Sequence, residues 1–101
     1  METTPYLFQL NDQESYPVKI TFSKLSTLRK KNKSAYEKYN KIILNGAQDI
    51  FDFLYIIYIG YLCANDDNDN VLSSEAFIEH AEYDIANIME TVKELTQPKK
   101  K

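Results

Sequence analysis

Hydrophobic and polar residues alternate with a period of two near the start of the chain, as in a strand with one buried face. In the run from residue 16 to 22, three apolar residues share one face: Val18, Ile20 and Phe22. An earlier apolar run, Tyr6–Leu10, is separated from it by the polar residues 11–15. Pro17 lies near the start of the second run, where a proline disturbs a strand least. The pattern predicts an N-terminal β-hairpin that buries one face.

Beyond residue 23 the apolar residues recur every three or four positions, which is the period of a helix face. Ser23 is a candidate cap for a short helix over residues 24–31. Ser34, with Glu37 three residues later, matches a capping box and predicts the start of a second helix. That helix is predicted to stop at Asn45-Gly46, because glycine favours the backbone conformation that ends helices.

A third helix is predicted from about Gln48 to Ala64, and it contains the most hydrophobic stretch of the chain, residues 50–64. Apolar residues occupy all of its sides, so it should be the central, most buried helix. The stretch is shorter than the roughly 20 residues that a bilayer requires and contains Asp52, so a membrane span is disfavoured. Gly60 has no side chain and would let a neighbouring element approach closely.

A fourth helix of about 22 residues is predicted after Ser73, with Leu72 and Phe77 placed as a hydrophobic staple. Its apolar stripe comprises Phe77, Ala81, Ile85, Ile88, Val92 and Leu95. The predicted fold class is mainly α with an N-terminal β-hairpin (α+β). About four helices are expected, the third central and buried, the fourth long and amphipathic. Residues 1–97 are predicted to form one domain, followed by a basic tail over residues 98–101.

Composition and charge exclude several classes of function. The 101 residues carry 12 basic and 15 acidic side chains, and a net charge of −3 argues against a general nucleic-acid binder. Cys63 is the single cysteine, so no internal disulfide can form. The first residues lack the basic start and apolar run of a signal peptide, and we expect a cytoplasmic protein without a membrane segment.

Candidate catalytic and metal sites do not assemble from the sequence. The acidic stretch 65–70 resembles part of a calcium loop, yet no register supplies both the turn glycine and the bidentate glutamate. His80 is the only histidine, and without a second ligand nearby it predicts no zinc site. The chain has two glycines and no glycine-rich phosphate loop. We therefore expect no enzyme, no metal and no cofactor.

Two compositional features point to protein–protein contact. Eight tyrosines suit interfaces, although they would equally suit the edge of a core. A basic cluster comprises Lys24, Arg29, Lys30, Lys31 and Lys33. It could meet an acidic partner, such as the acidic face of the fourth helix in another copy; the alternative is a solvated helix end.

The order of these elements resembles a known family. A hairpin ending in residues 18–25 leads into a short helix, then into the apolar helix DIFDFLYIIYIGYLCA and, after Leu72-Ser-Ser-Glu75, into a last helix with IMETVKEL. This order, over residues 16–97, resembles the tail assembly chaperones of Gram-positive siphophages, in bacteriophages and prophages alike. The resemblance implies a cytoplasmic, self-associating helper that binds the tape-measure protein while tail-tube subunits polymerise during virion assembly. It also implies that a longer form can arise by a ribosomal frameshift near the lysine-rich end.

Under this hypothesis apolar and tyrosine side chains would cover the helical tape-measure protein. The candidate partner-binding residues are Tyr55, Tyr58, Tyr61, Phe77, Ile85, Ile88 and Val92. Arg29, Lys30 and Lys31 are candidates for an electrostatic contact. The alternative function is a small acidic helical regulator or inhibitor, similar to an antirepressor, that also acts by binding a protein.

Overall fold

The computed structural model describes residues 6–68 and 70–96. In this part of the chain an N-terminal hairpin precedes five helices. Its elements are β1 (Tyr6–Gln9), β2 (Ser15–Val18), α1 (Phe22–Lys31), α2 (Lys33–Asn45), α3 (Ile50–Ala64), α4 (Ser74–His80) and α5 (Ile85–Thr96). The prediction of a mainly helical chain with an N-terminal hairpin is confirmed, and the helix count differs by one. The predicted basic tail lies outside the described residues.

The hairpin is shorter than the alternating pattern predicted. The strands β1 and β2 are antiparallel, with Phe8 opposite Tyr16 and Leu7 opposite Pro17. Pro17 is thus inside β2, where it is tolerated because each strand of a two-stranded sheet has a free edge. Phe22 was predicted to lie on the buried face, which is wrong: it is the first residue of α1 and 91% exposed.

Two predicted helix caps are also wrong, and the reason is the same for both. The cap of α1 is Thr21 instead of Ser23, and its hydroxyl accepts a hydrogen bond from the Lys24 amide at 3.1 Å. The cap of α2 is Asn32 instead of Ser34, with its side chain accepting from the Ala35 amide at 3.2 Å. Several capping residue types stand close together in each region, and the sequence does not show which one has a non-helical backbone.

The largest difference concerns the predicted fourth helix, which is two helices, α4 and α5. Ser73 does cap α4, as predicted. The chain leaves the helix at Ala81, whose φ of −74° and ψ of 135° are extended values. The amide of Glu82 donates to the Leu10 carbonyl oxygen at 2.8 Å, and the Asp84 carboxylate accepts from the Asn87 amide at 3.1 Å to begin α5. A tertiary hydrogen bond and a new cap therefore replace one turn of helix.

The helix α3 is central and buried, as predicted. The residues from Leu54 to Cys63 are all buried, and α3 contacts β2 and the other four helices. Its predicted start at Gln48 is two residues early, because Asp49 caps it by accepting from the Asp52 amide at 3.2 Å. None of the described helices is long and apolar enough to cross a membrane.

Gly60 is the closest point of approach between α3 and its neighbours. Its carbonyl oxygen accepts a hydrogen bond from the Lys19 amide at 3.1 Å, just after β2. A β-carbon at Gly60 would lie 3.0 Å from a methyl carbon of Leu95 and 3.2 Å from the β-carbon of Val18. The close approach that the sequence predicted at this glycine is confirmed, and it fixes how β2 and α5 pack on α3.

Replacing Gly60 by valine tests this packing. The branched side chain would push Val18 and Leu95 away, so we expect the free energy of unfolding to fall by about 1–3 kcal/mol in urea denaturation. Ala86→Val, on the exposed side of α5, places the same branched side chain in a helix away from the contact and should cost under about 1 kcal/mol. Equal losses in the two variants would contradict the close packing at Gly60.

Candidate functional site

The candidate partner-binding residues lie mostly inside the protein. Six of the seven are buried: Tyr55, Tyr58, Tyr61, Phe77, Ile88 and Val92. Only Ile85 reaches the surface, where it is 40% exposed. The stripe that the sequence places on one long helix is the core-facing side of α4 and α5, because both helices pack inward. A partner could reach the six buried residues only if the core opened.

The buried tyrosines form one connected aromatic cluster across α3, α4 and the hairpin. The ring of Phe77 lies 5.2 Å from that of Tyr61 and 5.3 Å from that of Tyr58, measured between centroids. Tyr16 of β2 meets Tyr61 edge to face at 5.1 Å, and Phe8 of β1 lies 6.1 Å from Phe77. Offset and edge-to-face contacts of this kind stabilise a core beyond the area that they bury. The cluster joins the hairpin to the helices.

Two of these tyrosines hold the backbone of Leu72. The hydroxyl of Tyr58 donates to the Leu72 carbonyl oxygen at 3.0 Å, and the Leu72 amide donates to the Tyr61 hydroxyl at 2.8 Å. The segment before α4 is thereby tied to α3 through its main chain. Burial, and then electrostatic interaction with Tyr55 and Tyr61, raises the pKa of Tyr58 to about 12, so this hydroxyl remains a donor well into alkaline pH.

Part of the basic cluster is used within the molecule. The ammonium group of Lys24 lies 3.1 Å from a carboxylate oxygen of Asp66, and Lys31 donates to the Asp66 carbonyl oxygen at 2.6 Å. The acidic segment after α3 is therefore held by α1, and a lysine ammonium neutralises the first carboxylate of the segment that resembles a calcium loop. Of the three predicted electrostatic residues, Lys31 makes this internal contact.

The other two predicted electrostatic residues remain on the surface. The guanidinium of Arg29 lies over the ring of Tyr36 at 5.6 Å from its centroid, and Lys30 is exposed. Lys33 approaches Glu37 at 3.9 Å, but both side chains are mostly exposed, so the pair contributes little. Arg29 and Lys30 are thus available to a partner.

A small cavity of about 180 Å³ lies between α1 and the segment after α3. Its lining residues include Lys24, Lys31 and Asp66 at the polar side and Leu28, Leu62 and Cys63 at the apolar side. Burial, and then the charge of Asp66, raises the pKa of the Cys63 thiol to about 12. The thiol is therefore protonated at neutral pH and is a poor nucleophile.

The only histidine joins the hairpin turn to α4. His80 Nδ1 lies 3.6 Å from a carboxylate oxygen of Glu14. The same oxygen accepts a hydrogen bond from the side-chain amide of Asn11 at 2.9 Å. Hydrogen bonds from Asn11 and from the Tyr16 hydroxyl lower the pKa of Glu14. The side-chain amide of Asn11 also donates to the His80 carbonyl oxygen. This cluster is polar and half-exposed, and among the described residues no group of three histidine, cysteine or acidic side chains is placed to hold a metal.

Sequence reasoning missed the exposed apolar side chains, which are the surface feature with most bearing on binding. Ile43 and Leu44 lie in the last turn of α2, Phe51 is the second residue of α3, and the loop between these helices has only four residues. We call Ile43, Leu44 and Phe51 the apolar end; Leu44 is 74% and Phe51 60% exposed. Tyr83, between α4 and α5, is 81% exposed. The sequence does not distinguish Ile43, Leu44 and Phe51 from core residues, because all three fall within apolar helical patterns.

The contact between Tyr61 and Leu72 can be tested by removing one oxygen. Tyr61→Phe leaves the half-buried Leu72 amide without its acceptor, so we expect a loss of about 1–2 kcal/mol in the free energy of unfolding. Tyr83→Phe removes the same atom from an exposed side chain and should be neutral. A Tyr61→Phe variant as stable as the Tyr83→Phe control would show that the hydrogen bond does not hold the segment.

The raised pKa values predict a loss of stability in alkali. When the pKa of a tyrosine or cysteine is higher in the folded than in the unfolded protein, the folded state favours the neutral form of that group. The contribution of Tyr58 is therefore complete below pH 10 and is lost as the pH rises to about 12. Cys63 acts in the same direction from pH 9 to about 12. The urea midpoint, measured between pH 9 and pH 12, should fall less steeply with pH in the Tyr58→Phe and Cys63→Ala variants than in the unchanged protein. Identical slopes would show that these two groups are not the source of the alkaline loss of stability.

Comparisons with known proteins give this chain no relative. No protein-family model, no curated protein and no solved structure matches the chain.

Proposed function

We propose that the protein is a non-catalytic, cytoplasmic tail assembly chaperone of a bacteriophage or prophage, which binds the tape-measure protein and promotes assembly of the tail tube. The support from sequence is the family resemblance in element order over residues 16–97. The support from structure is the apolar end, where three large hydrophobic side chains are exposed close together in the chain. Exposed apolar residues that are grouped in this way are typical of sites for a protein partner.

The apolar end suits a helical partner. A long helix with apolar residues at steps of three and four offers a stripe, and side chains such as Leu44 and Phe51 can insert along it. The half-buried Ala47 and Ile50 lie between the exposed residues in the sequence and extend the apolar area. The proposed binding site is therefore the apolar end and not the tyrosines of α3, because those tyrosines are part of the core.

The second candidate function is a small regulator or inhibitor that acts through acidic helices. The observation in its favour is a group of exposed acidic side chains on α4 and just after it: Glu75, Glu79, Glu82 and Asp84. Against it stand the small net charge of −3 and the exposed Arg29 and Lys30, which weaken any overall negative field.

Co-expression tests the chaperone proposal. The tape-measure protein encoded beside this chain should be insoluble alone and soluble, with the chain co-purifying, when the two are produced together. Leu44→Gln combined with Phe51→Ser should abolish both effects by removing the apolar surface, while leaving the urea midpoint of the chaperone within experimental error.

Leu7→Gln is the matched control, because Leu7 is also exposed and apolar but lies on β1. It should leave co-purification unchanged. A tape-measure protein that gains no solubility and does not co-purify would overturn the proposal. Loss of binding in the Leu7 variant alone would instead place the site at the hairpin.

A further inference from the structure

The cavity between α1 and the segment after α3 combines an apolar side with a charged side. Leu28, Leu62 and Cys63 form the apolar side together with Val71, and the first three of these residues are buried. Lys31 lines the charged side and is exposed, so this side is the one that reaches the solvent. An apolar interior with a few polar groups beside it is typical of a site for a small molecule.

The charged side chains among the described residues that line the cavity add up to one positive charge: Lys24, Lys31 and Asp66. Lys24 Nζ lies 3.2 Å from one carboxylate oxygen of Asp66 and 3.1 Å from the other, so this pair is neutral. Lys31 Nζ donates to the main-chain carbonyl oxygen of Asp66 at 2.6 Å, and this oxygen carries no net charge. An ammonium group has more than one N–H donor, and the carbonyl oxygen uses one of them. Lys31 therefore keeps its charge and a donor for an anion at the solvent side of the cavity.

The volume of the cavity, about 180 Å³, limits the ligand to a small molecule. An apolar cavity of about 150 Å³ in another protein is large enough to hold benzene. A single ring, or a chain of about six carbon atoms, therefore fits here with its polar group beside Lys31. The thiol of Cys63 suits such a ligand, because a buried, protonated thiol behaves as a small apolar group.

We propose that the cavity binds a small carboxylate with an apolar body, in the class of aromatic and medium-chain aliphatic acids. The carboxylate accepts charge-assisted hydrogen bonds from Lys31, which are stronger than those between neutral groups. The apolar body packs against Leu28, Leu62 and Val71, and its removal from water contributes in proportion to the area that is buried. Both contributions are needed, because a small ligand has few atoms with which to offset the entropy that it loses on binding.

The cavity lies at the opposite end of α3 from the apolar end. Phe51 and Leu62 are eleven residues apart in this helix, which corresponds to about 16 Å along its axis. Carboxylate binding is therefore a property separate from the proposed chaperone function, and either can be lost without the other.

Titration of benzoate into the full, isotope-labelled chain tests the site by NMR at neutral pH and low ionic strength. Backbone amide shifts should change in the second half of α1 and over residues 62–68, with a Kd of about 1 mM. Benzamide has nearly the same shape without the charge, and acetate has the charge without the ring. Each should bind about tenfold or more weakly than benzoate, because each lacks one of the two contributions.

A pair of lysine variants separates the role of Lys31 from that of surface charge. Lys31→Met removes the charge beside the cavity and keeps a side chain of similar length. It should weaken benzoate binding about tenfold or more and leave benzamide binding unchanged. Lys30→Met is the matched control, because Lys30 is also exposed on α1 but does not line the cavity. It should leave the affinity for benzoate unchanged.

Val71→Thr tests the apolar side with a side chain of nearly the same shape. Its hydroxyl group would lie against the body of the ligand, so the affinities for benzoate and benzamide should fall by the same factor. Amide spectra and urea midpoints of all three variants show whether the fold is kept.

Several results would overturn the proposal. Benzoate that shifts no amide at about 20 mM would exclude the site, since this concentration is well above the expected Kd. Benzamide that binds as tightly as benzoate would show that Lys31 does not attract the ligand. An equal loss of affinity in Lys31→Met and Lys30→Met would reveal a general effect of surface charge. Shifts confined to other elements, or unaffected by Val71→Thr, would place the ligand elsewhere.

Discussion

The burial of the residues from Leu54 to Cys63, which occupy all sides of α3, is the constraint on which the rest of the structure depends. A helix of 15 residues that is apolar all round cannot be covered by one neighbour, so the hairpin and four further helices are arranged around it. The contact at Gly60 brings β2 and α5 against it without space for a side chain. Because 101 residues give only a shallow core, nearly all of the large apolar side chains of α3 are used for this purpose.

Much of this architecture follows from the sequence, and the parts that do not have identifiable physical reasons. The apolar character of residues 50–64 is enough to predict a central helix, and the alternation around Val18 is enough to predict a strand. The break after His80 is different: residues 73–95 carry an uninterrupted helical period, and only a tertiary hydrogen bond to Leu10 diverts the chain. Phe22 illustrates the same limit, since alternation of residue types continues beyond the point at which Thr21 starts a helix.

The candidate site was harder to predict than the fold, because periodicity finds apolar faces but does not tell a core face from a binding face. Tyr58 and Tyr61 have the composition of an interface, yet their hydroxyls bind the backbone of Leu72 and their rings fill the interior. The charges behave similarly. A cluster of five cations appears uniform in the sequence, whereas in the fold Lys24 and Lys31 are committed to Asp66 and Arg29 and Lys30 are exposed.

The junction between the hairpin and the last two helices has a consequence for the order of folding. Three hydrogen bonds join the end of β1 and its turn to residues about 70 positions later. The side-chain amides of Asn11 and Asn87 donate to the carbonyl oxygens of His80 and Gln9, respectively. The backbone amide of Glu82 donates to the Leu10 carbonyl oxygen. During synthesis the hairpin leaves the ribosome long before these partners exist. A two-stranded hairpin is marginal alone, so a segment that is made before its partners is among the last to become stable. Contacts of such high sequence separation also slow folding, and the nascent chain exposes Phe8 and Leu10 until α4 and α5 arrive.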